Sequence, residues 1–175
     1  ETAKKIIKNS ANNFAATNLE LGGKSPLVIF DDADIESAAN GIIAGNFGAS
    51  GQSCVAGSRV IVQKNISSKL KDIIKQKSEN IIVGNPLDPK TNLGPLCTSK
   101  QIEIIENTIN KSVSQGAEII FGGKKIEKEG NYFEPTLIYC PHRDIETLKI
   151  EMFGPVISLI EFDSEEDAID LANDS

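Results

Sequence analysis

The sequence predicts an α/β fold, a layered and largely parallel sheet with flanking helices. Three observations carry that expectation. Apolar runs of strand length alternate with stretches of helical period along the 175 residues. Runs such as Leu27-Val28-Ile29-Phe30 are continuous, the pattern of strands covered on both faces. Turn-rich joints separate the elements without a linker or composition shift, so one domain is the simplest organisation.

The elements follow in order. Residues 3–15 place Ile6, Ile7, Ser10, Ala11 and Phe14 on one helical face. Residues 25–30 read as a buried strand. Asp34 caps a helix that runs from about Ile35 to Gly48, where Gly41 and Gly45 lower helix propensity and, with Ala38, Ala39 and Ala44, give small side chains that permit close backbone packing. Strands are expected at 59–63, 81–83, 118–121, 136–139 and 156–162, and helices at 67–77 and 99–115. A last helix begins at Ser164, where Ser164-x-x-Asp167 makes a capping-box-like start. The joints at 84–95 and 122–131 are rich in Gly, Pro and Asn.

Composition excludes several function classes. A formal charge of −7 disfavours nucleic acid and anionic membranes as partners, since both demand clustered Lys and Arg. No apolar run approaches the ~18 residues that span a bilayer. The start, Glu1-Thr2-Ala3-Lys4-Lys5, has neither an initiator Met nor an apolar signal region, so a chain trimmed from something larger is expected. The three cysteines, Cys54, Cys97 and Cys140, form no CxxC and no metal-ligand cluster. That usage fits a reducing, cytoplasmic compartment and no metal centre.

Two near-matches fail. Gly23-Lys24-Ser25 has the tail of a phosphate-binding P-loop, but Asn18 stands where that loop needs its first glycine, and a strand follows where a helix is required. Gly48-Ala49-Ser50-Gly51-Gln52 misses the serine-hydrolase elbow at its closing glycine. No dinucleotide fingerprint G-x-G-x-x-G is present.

Chemistry concentrates in two glycine-flanked segments, Glu20-Leu21-Gly22-Gly23-Lys24-Ser25-Pro26 and Gly51-Gln52-Ser53-Cys54. Cys54 has two readings. It is a nucleophile, its thiolate favoured by exposed backbone N–H groups in a glycine-framed loop, or a buried cysteine acting as a small hydrophobe. Cys97 and Cys140 lack that framing and take the second reading. Glu20 lies between Leu19 and Leu21, where burial would raise its pKa toward that of a general base, with a solvent-facing glutamate as the alternative. Lys24 reads as a solvated lysine, although it could steer an anion. His142, two residues from Cys140, is not expected to act in catalysis.

A third segment, Glu151-Met152-Phe153-Gly154-Pro155, lies about a hundred residues downstream. In this order, and with Glu20 and Cys54 34 residues apart, the three segments resemble the aldehyde dehydrogenase superfamily. Lesser matches at Gly84-Asn85-Pro86, Leu93-Gly94-Pro95-Leu96 and Tyr132–Leu137 extend the resemblance over nearly the whole chain. Ile150, where many relatives carry an acidic residue, and Met152, where isoleucine is more usual, depart from the pattern.

The resemblance implies oxidation of an aldehyde to a carboxylic acid with NAD or NADP. Cys54 is then the nucleophile that carries a thiohemiacetal and a thioester, and Glu20 the base that activates water. Leu21, Gly22, Glu151 and Phe153 become cofactor-binding positions. It further implies that residues 1–20 end a cofactor-binding domain, that residues 21–175 belong to the thiol-bearing catalytic domain, and that the full-length protein is a homo-oligomer. Two other functions fit the same residues: a non-catalytic fragment or folding module with Cys54 and Glu20 idle, and a cysteine-dependent esterase.

Overall fold

A computed structural model describes residues 1–175. Strands β1 (Pro26–Ile29), β2 (Arg59–Gln63), β3 (Glu118–Phe121), β4 (Thr136–Tyr139) and β5 (Val156–Phe162) form one five-stranded sheet in the order β1-β2-β5-β4-β3. Strands β1, β2, β5 and β4 are parallel, and β3 runs antiparallel to β4 at the edge. The helices are α1 (Thr2–Ser10), α2 (Ile35–Phe47), α3 (Lys64–Ser78), α4 (Ser99–Ser114), α5 (Glu146–Lys149) and α6 (Glu165–Asn173).

The continuous apolar runs are explained by two cores, one on each face. Val60, Val62, Leu137, Ile157 and Leu159 pack with Ala39, Ile42 and Phe47 of α2 and Leu70 and Ile74 of α3. The alternate residues Ile61, Ile138, Val156, Ile160 and Phe162 pack with Ile102, Ile105 and Ile109 of α4, Leu148 of α5, and Ala168 and Leu171 of α6. Side chains point to opposite faces along a strand, so only a run apolar at every position fills both layers. Each fully buried Ile, Leu or Val contributes about 1.5–3 kcal/mol.

Helix starts follow the sequence signals. Asp34 accepts the Ser37 N–H at 2.8 Å, and Ser164 accepts that of Asp167 at 3.2 Å. Arg59, 3% exposed, reaches the other end of α6. Its guanidinium donates to the carbonyls of Leu171 and Ala172, while its Nε donates to Lys24 O at 3.1 Å. One side chain thus ties the last helix to the segment that enters β1.

Four sequence expectations need correction. Residues 81–83 form no strand, because the Ile82 N–H is taken by the Asn92 side chain at 2.9 Å and only an isolated Val83–Leu93 bridge remains. Helix α1 ends at Ser10, and its apolar face is uncovered: Ile6 and Ile7 are exposed, and Phe14 is 96% exposed. Helix α3 begins at Lys64, directly after β2, rather than at Ser67. The four-residue α5 was not anticipated and is too short to show a period.

Candidate active site

All three motif segments enter parallel strands. Residues 20–25 lead into β1, residues 48–58 into β2, and residues 151–155 into β5. The order β1-β2-β5 makes these strands neighbours, so the segments meet at the amino end of the sheet. Open parallel sheets ordinarily bind ligands at the carboxyl ends of their strands. Here the chemistry-bearing residues gather at the opposite end.

The segment carrying Cys54 is bent and braced. After α2 comes a 3-10 turn, Gly48–Gly51, in which Ala49, Ser50 and Gly51 have φ of 49°, 56° and 72°. Two successive left-handed non-glycine residues cost about 1–2 kcal/mol each, so the surrounding structure must hold them. Ser50 Oγ donates to Gly94 O at 3.0 Å, and Gln52 Oε1 accepts the Cys97 N–H at 3.0 Å. Asn46, buried at the end of α2, donates to Gly57 O at 2.7 Å and so clamps the return leg beyond Cys54. Gly51 is required on two counts: its φ is positive, and a Cβ there would collide with the backbone of Gly154. That contact locks the second segment against the third, where Phe153 is also left-handed at φ 50°.

Cys54 is exposed, and its backbone N–H has no acceptor in the chain. Its carbonyl faces Gly23, where a Cβ would lie 3.9 Å from the oxygen. The first and second segments therefore touch beside the thiol. Glu151 joins them from the third: its Oε1 accepts the Gly23 N–H at 3.1 Å across 128 residues of sequence. Gly22 carries no side chain where one would strike the Glu151 carboxylate. Gly23, Lys24, Gly51, Ser53, Ser58, Glu151 and Phe153 are among the residues lining a small cavity of about 10 Å³.

The expected residues thus divide. Gly22, Glu151 and Phe153 assemble with Gly23, and the Cys54 backbone abuts the same group. Of the expected residues only Glu151 and Phe153 line the cavity itself; Cys54, Gly22, Glu20 and Leu21 do not. Glu20 is exposed rather than buried between leucines, since Leu21 is 59% exposed, and its carboxylate meets only Asn18 Nδ2 at 3.4 Å. Cys140 lies in the core, where burial pushes its thiol up to about 11. Cys97, expected to be buried, is exposed beside Gln52. His142 lies elsewhere, with Nε2 at 3.1 Å from Gln115 O.

The largest departure is Lys24, read as solvated but only 6% exposed, with Nζ lacking any partner. Burial lowers its pKa to about 8. The brace residues Asn46, Ser50 and Gln52 also escaped the sequence reading. Ser50 and Gln52 stand in the sequence only as parts of the rejected hydrolase-elbow match and the Gly51–Cys54 segment, and Asn46 carries no local signal.

A parallel α/β domain with an exposed, glycine-framed thiol at the amino end of its sheet is the class these observations define. Comparison makes it specific. The aldehyde dehydrogenase family profile matches residues 1–175, and the chain belongs to that family. It is 45% identical to (Z)-2-((N-methylformamido)methylene)-5-hydroxybutyrolactone dehydrogenase of Acinetobacter baylyi, over 99% of this chain and 36% of that protein. It is 40% identical to a mitochondrial succinate-semialdehyde dehydrogenase of Oryza sativa subsp. japonica, over 98% of this chain and 33% of that protein. Among solved structures, betaine aldehyde dehydrogenase of Staphylococcus aureus in complex with NAD+ superposes with a TM-score of 0.92 at 39% identity, over 99% of this chain and 35% of that one. An NAD+ complex of Bacillus cereus aldehyde dehydrogenase superposes with a TM-score of 0.94 at 37% identity, again over 99% and 35%. The chain spans about a third of the length of these relatives.

Proposed function

We propose that residues 21–175 are the thiol-bearing catalytic domain of an NAD(P)-dependent aldehyde dehydrogenase, with residues 1–20 the end of its cofactor-binding domain. The observation that supports this reading is the meeting of three sequence-distant segments at Gly23, Gly51 and Glu151, next to the backbone of an exposed Cys54 whose own N–H is free.

The Cys54 thiolate adds to the carbonyl carbon of the aldehyde, and the carbonyl oxygen takes the negative charge. The unpaired Cys54 N–H is the donor proposed for that oxygen, and one well-placed donor contributes about 2.7–4 kcal/mol. Departure of the hydride from the same carbon leaves a thioester on Cys54. Glu20 then removes a proton from water, whose oxygen attacks the thioester carbon. The C–S bond breaks, the thiolate returns, and a carboxylic acid leaves.

Bound NAD+ or NADP+ supplies the hydride acceptor. The residues at the site fit such a group. Glu151 offers carboxylate oxygens to ribose hydroxyls, Phe153 a half-exposed ring for the nicotinamide, and Leu21 and Gly22 an approach free of side-chain obstruction at the second position. The names of relatives suggest betaine aldehyde and succinate semialdehyde as first substrates to assay, on the full-length protein, which is proposed to be a cytoplasmic homo-oligomer.

The test is turnover of the full-length protein. Cys54→Ala is expected to lower it by at least about 10³-fold. Glu20→Gln is expected to lower steady turnover by about 10²-fold while a first-turnover burst of reduced cofactor persists, because acylation does not need the base. Undiminished oxidation by Cys54→Ala would remove the thiol from the mechanism. Equal loss of burst and steady rate in Glu20→Gln would remove Glu20 from the hydrolytic step.

A further inference from the structure

We propose that Gly22-Gly23-Lys24 forms a seat for the Glu151 carboxylate and that Lys24 is the positioning residue in it, a role that rests on Glu151 serving cofactor binding as proposed above. The three consecutive residues act differently. Gly22 leaves space for the carboxylate, Gly23 donates its N–H to Oε1 at 3.1 Å, and Lys24 brings a positive charge to the cavity that it lines together with Glu151.

Lys24 has no other evident partner. Its side chain is almost wholly buried, and Nζ makes no hydrogen bond within the chain. Its backbone is fixed at the strand entrance by the bond from Arg59 Nε to Lys24 O. The titratable and charged groups that act on the amine are, in decreasing order, Cys140 after β4, Arg59 on β2 and Glu151 before β5. Lys149 borders the adjoining cleft. Arg59 and Lys149 repel an ammonium group, and the Cys140 thiol, raised to about 11, is neutral near pH 7. Glu151 is the remaining anion. Lys24 and Glu151 both line the small cavity, which has room for about one water, and both border the adjoining cleft, without a direct ion pair between them. An unpaired buried ammonium is unfavourable, and Glu151 relieves part of that penalty while losing freedom to move.

The charge is also conditional. Burial brings Lys24 down to about 8, so the seat loses its positive charge as mildly alkaline pH is reached. Glu151 is then held by Gly23 alone.

Binding of NAD+ or NADP+, whichever the wild type binds more tightly, would be measured by calorimetry on the full-length protein. The variants are Lys24→Met, Lys24→Arg, Glu151→Gln and the Lys24→Met/Glu151→Gln pair. Lys24→Met is expected to weaken binding about tenfold, and less than about twofold when Glu151 is already Gln. Wild-type affinity should fall as pH passes through about 8, whereas Lys24→Arg, which stays charged, should bind with a flatter profile. Additive losses in the double variant, or an unchanged pH break in Lys24→Arg, would overturn the role of Lys24 while leaving the cofactor reading intact. Should Lys24→Met not fold, the Lys24→Arg profile decides alone. If Glu151→Gln binds like the wild type, or neither cofactor binds the wild type, the cofactor reading fails and this proposal falls with it.

Discussion

The two ends of the parallel sheet are built on opposite principles. At the carboxyl end, polar groups are satisfied within the chain. Glu161 accepts from Ser67 Oγ at 2.6 Å, Lys71 Nζ at 3.5 Å and Tyr139 OH at 3.3 Å, and Lys71 lies 4.2 Å from the Tyr139 ring centroid. Asp31 accepts from Asn65 at 2.7 Å and donates its N–H to Gln63 at 2.9 Å. At the amino end, Ala49, Ser50 and Phe153 are left-handed, the Cys54 N–H is unpaired, and Lys24 is buried without a hydrogen-bond partner. The sheet topology alone points to the carboxyl end as the ligand-binding end. Strain and unsatisfied groups point to the amino end, and the family motifs lie there. The proposed site therefore lies where the chain leaves strain and polar groups unresolved.

That contrast can be broken at Gly51. Gly51→Ala adds a Cβ at a left-handed residue and drives it into the Gly154 backbone. The left-handed penalty and the overpacking together should lower stability by about 2–5 kcal/mol, read as a fall in denaturant midpoint. A loss below about 0.5 kcal/mol, the range of an ordinary surface substitution, would show that the contact between the second and third segments is not rigid.

Lys24 sharpens the contrast with an effect of opposite sign. Its ordinary pKa of 10.5 falls to about 8 in the fold. Below pH 8 both folded and unfolded chains hold the proton, so the full penalty of burying the charge is present. Between about 8 and 10.5 the folded chain releases the proton first, and the penalty fades as pH rises. Lys24→Met should therefore raise stability at neutral pH by up to about 3 kcal/mol, with the gain shrinking above pH 8. A variant less stable than the wild type at pH 7 would mean that the ammonium is well paired. Greater stability combined with weaker cofactor binding is the signature of a residue kept for function.

Much of the architecture was readable because it depends on local pattern. The Asp34 cap, the parallel strands and the Ser164 helix start follow from period and capping chemistry within a few residues. The errors arise where distant chain decides. Residues 81–83 have strand composition, but the Asn92 side chain captures their backbone. The face of α1 has helical period and nothing in the chain to cover it. At the candidate site, Cys54, Glu20, Glu151, Gly22 and Phe153 are legible as motif positions, and the structure brings Gly22, Glu151 and Phe153 together with Gly23. The burial of Lys24 is not legible locally, because residues 22–26 around it are mostly exposed and chain distant in sequence, including Arg59 bonded to its carbonyl, meets it there. The exposure of Glu20 was missed because flanking leucines imply burial only if they are buried themselves.

The most direct test of the account is site-resolved alkylation of the native protein near neutral pH. Cys54 and Cys97 are both exposed and Cys140 is buried, so Cys97 controls for access and Cys140 for its absence. If the braced loop activates the thiol, Cys54 labels at least about tenfold faster than Cys97, and the advantage disappears in denaturant. If Cys54 and Cys97 label at the same rate in the native protein, exposure alone governs the thiol, and the amino end of the sheet does not hold an assembled nucleophile.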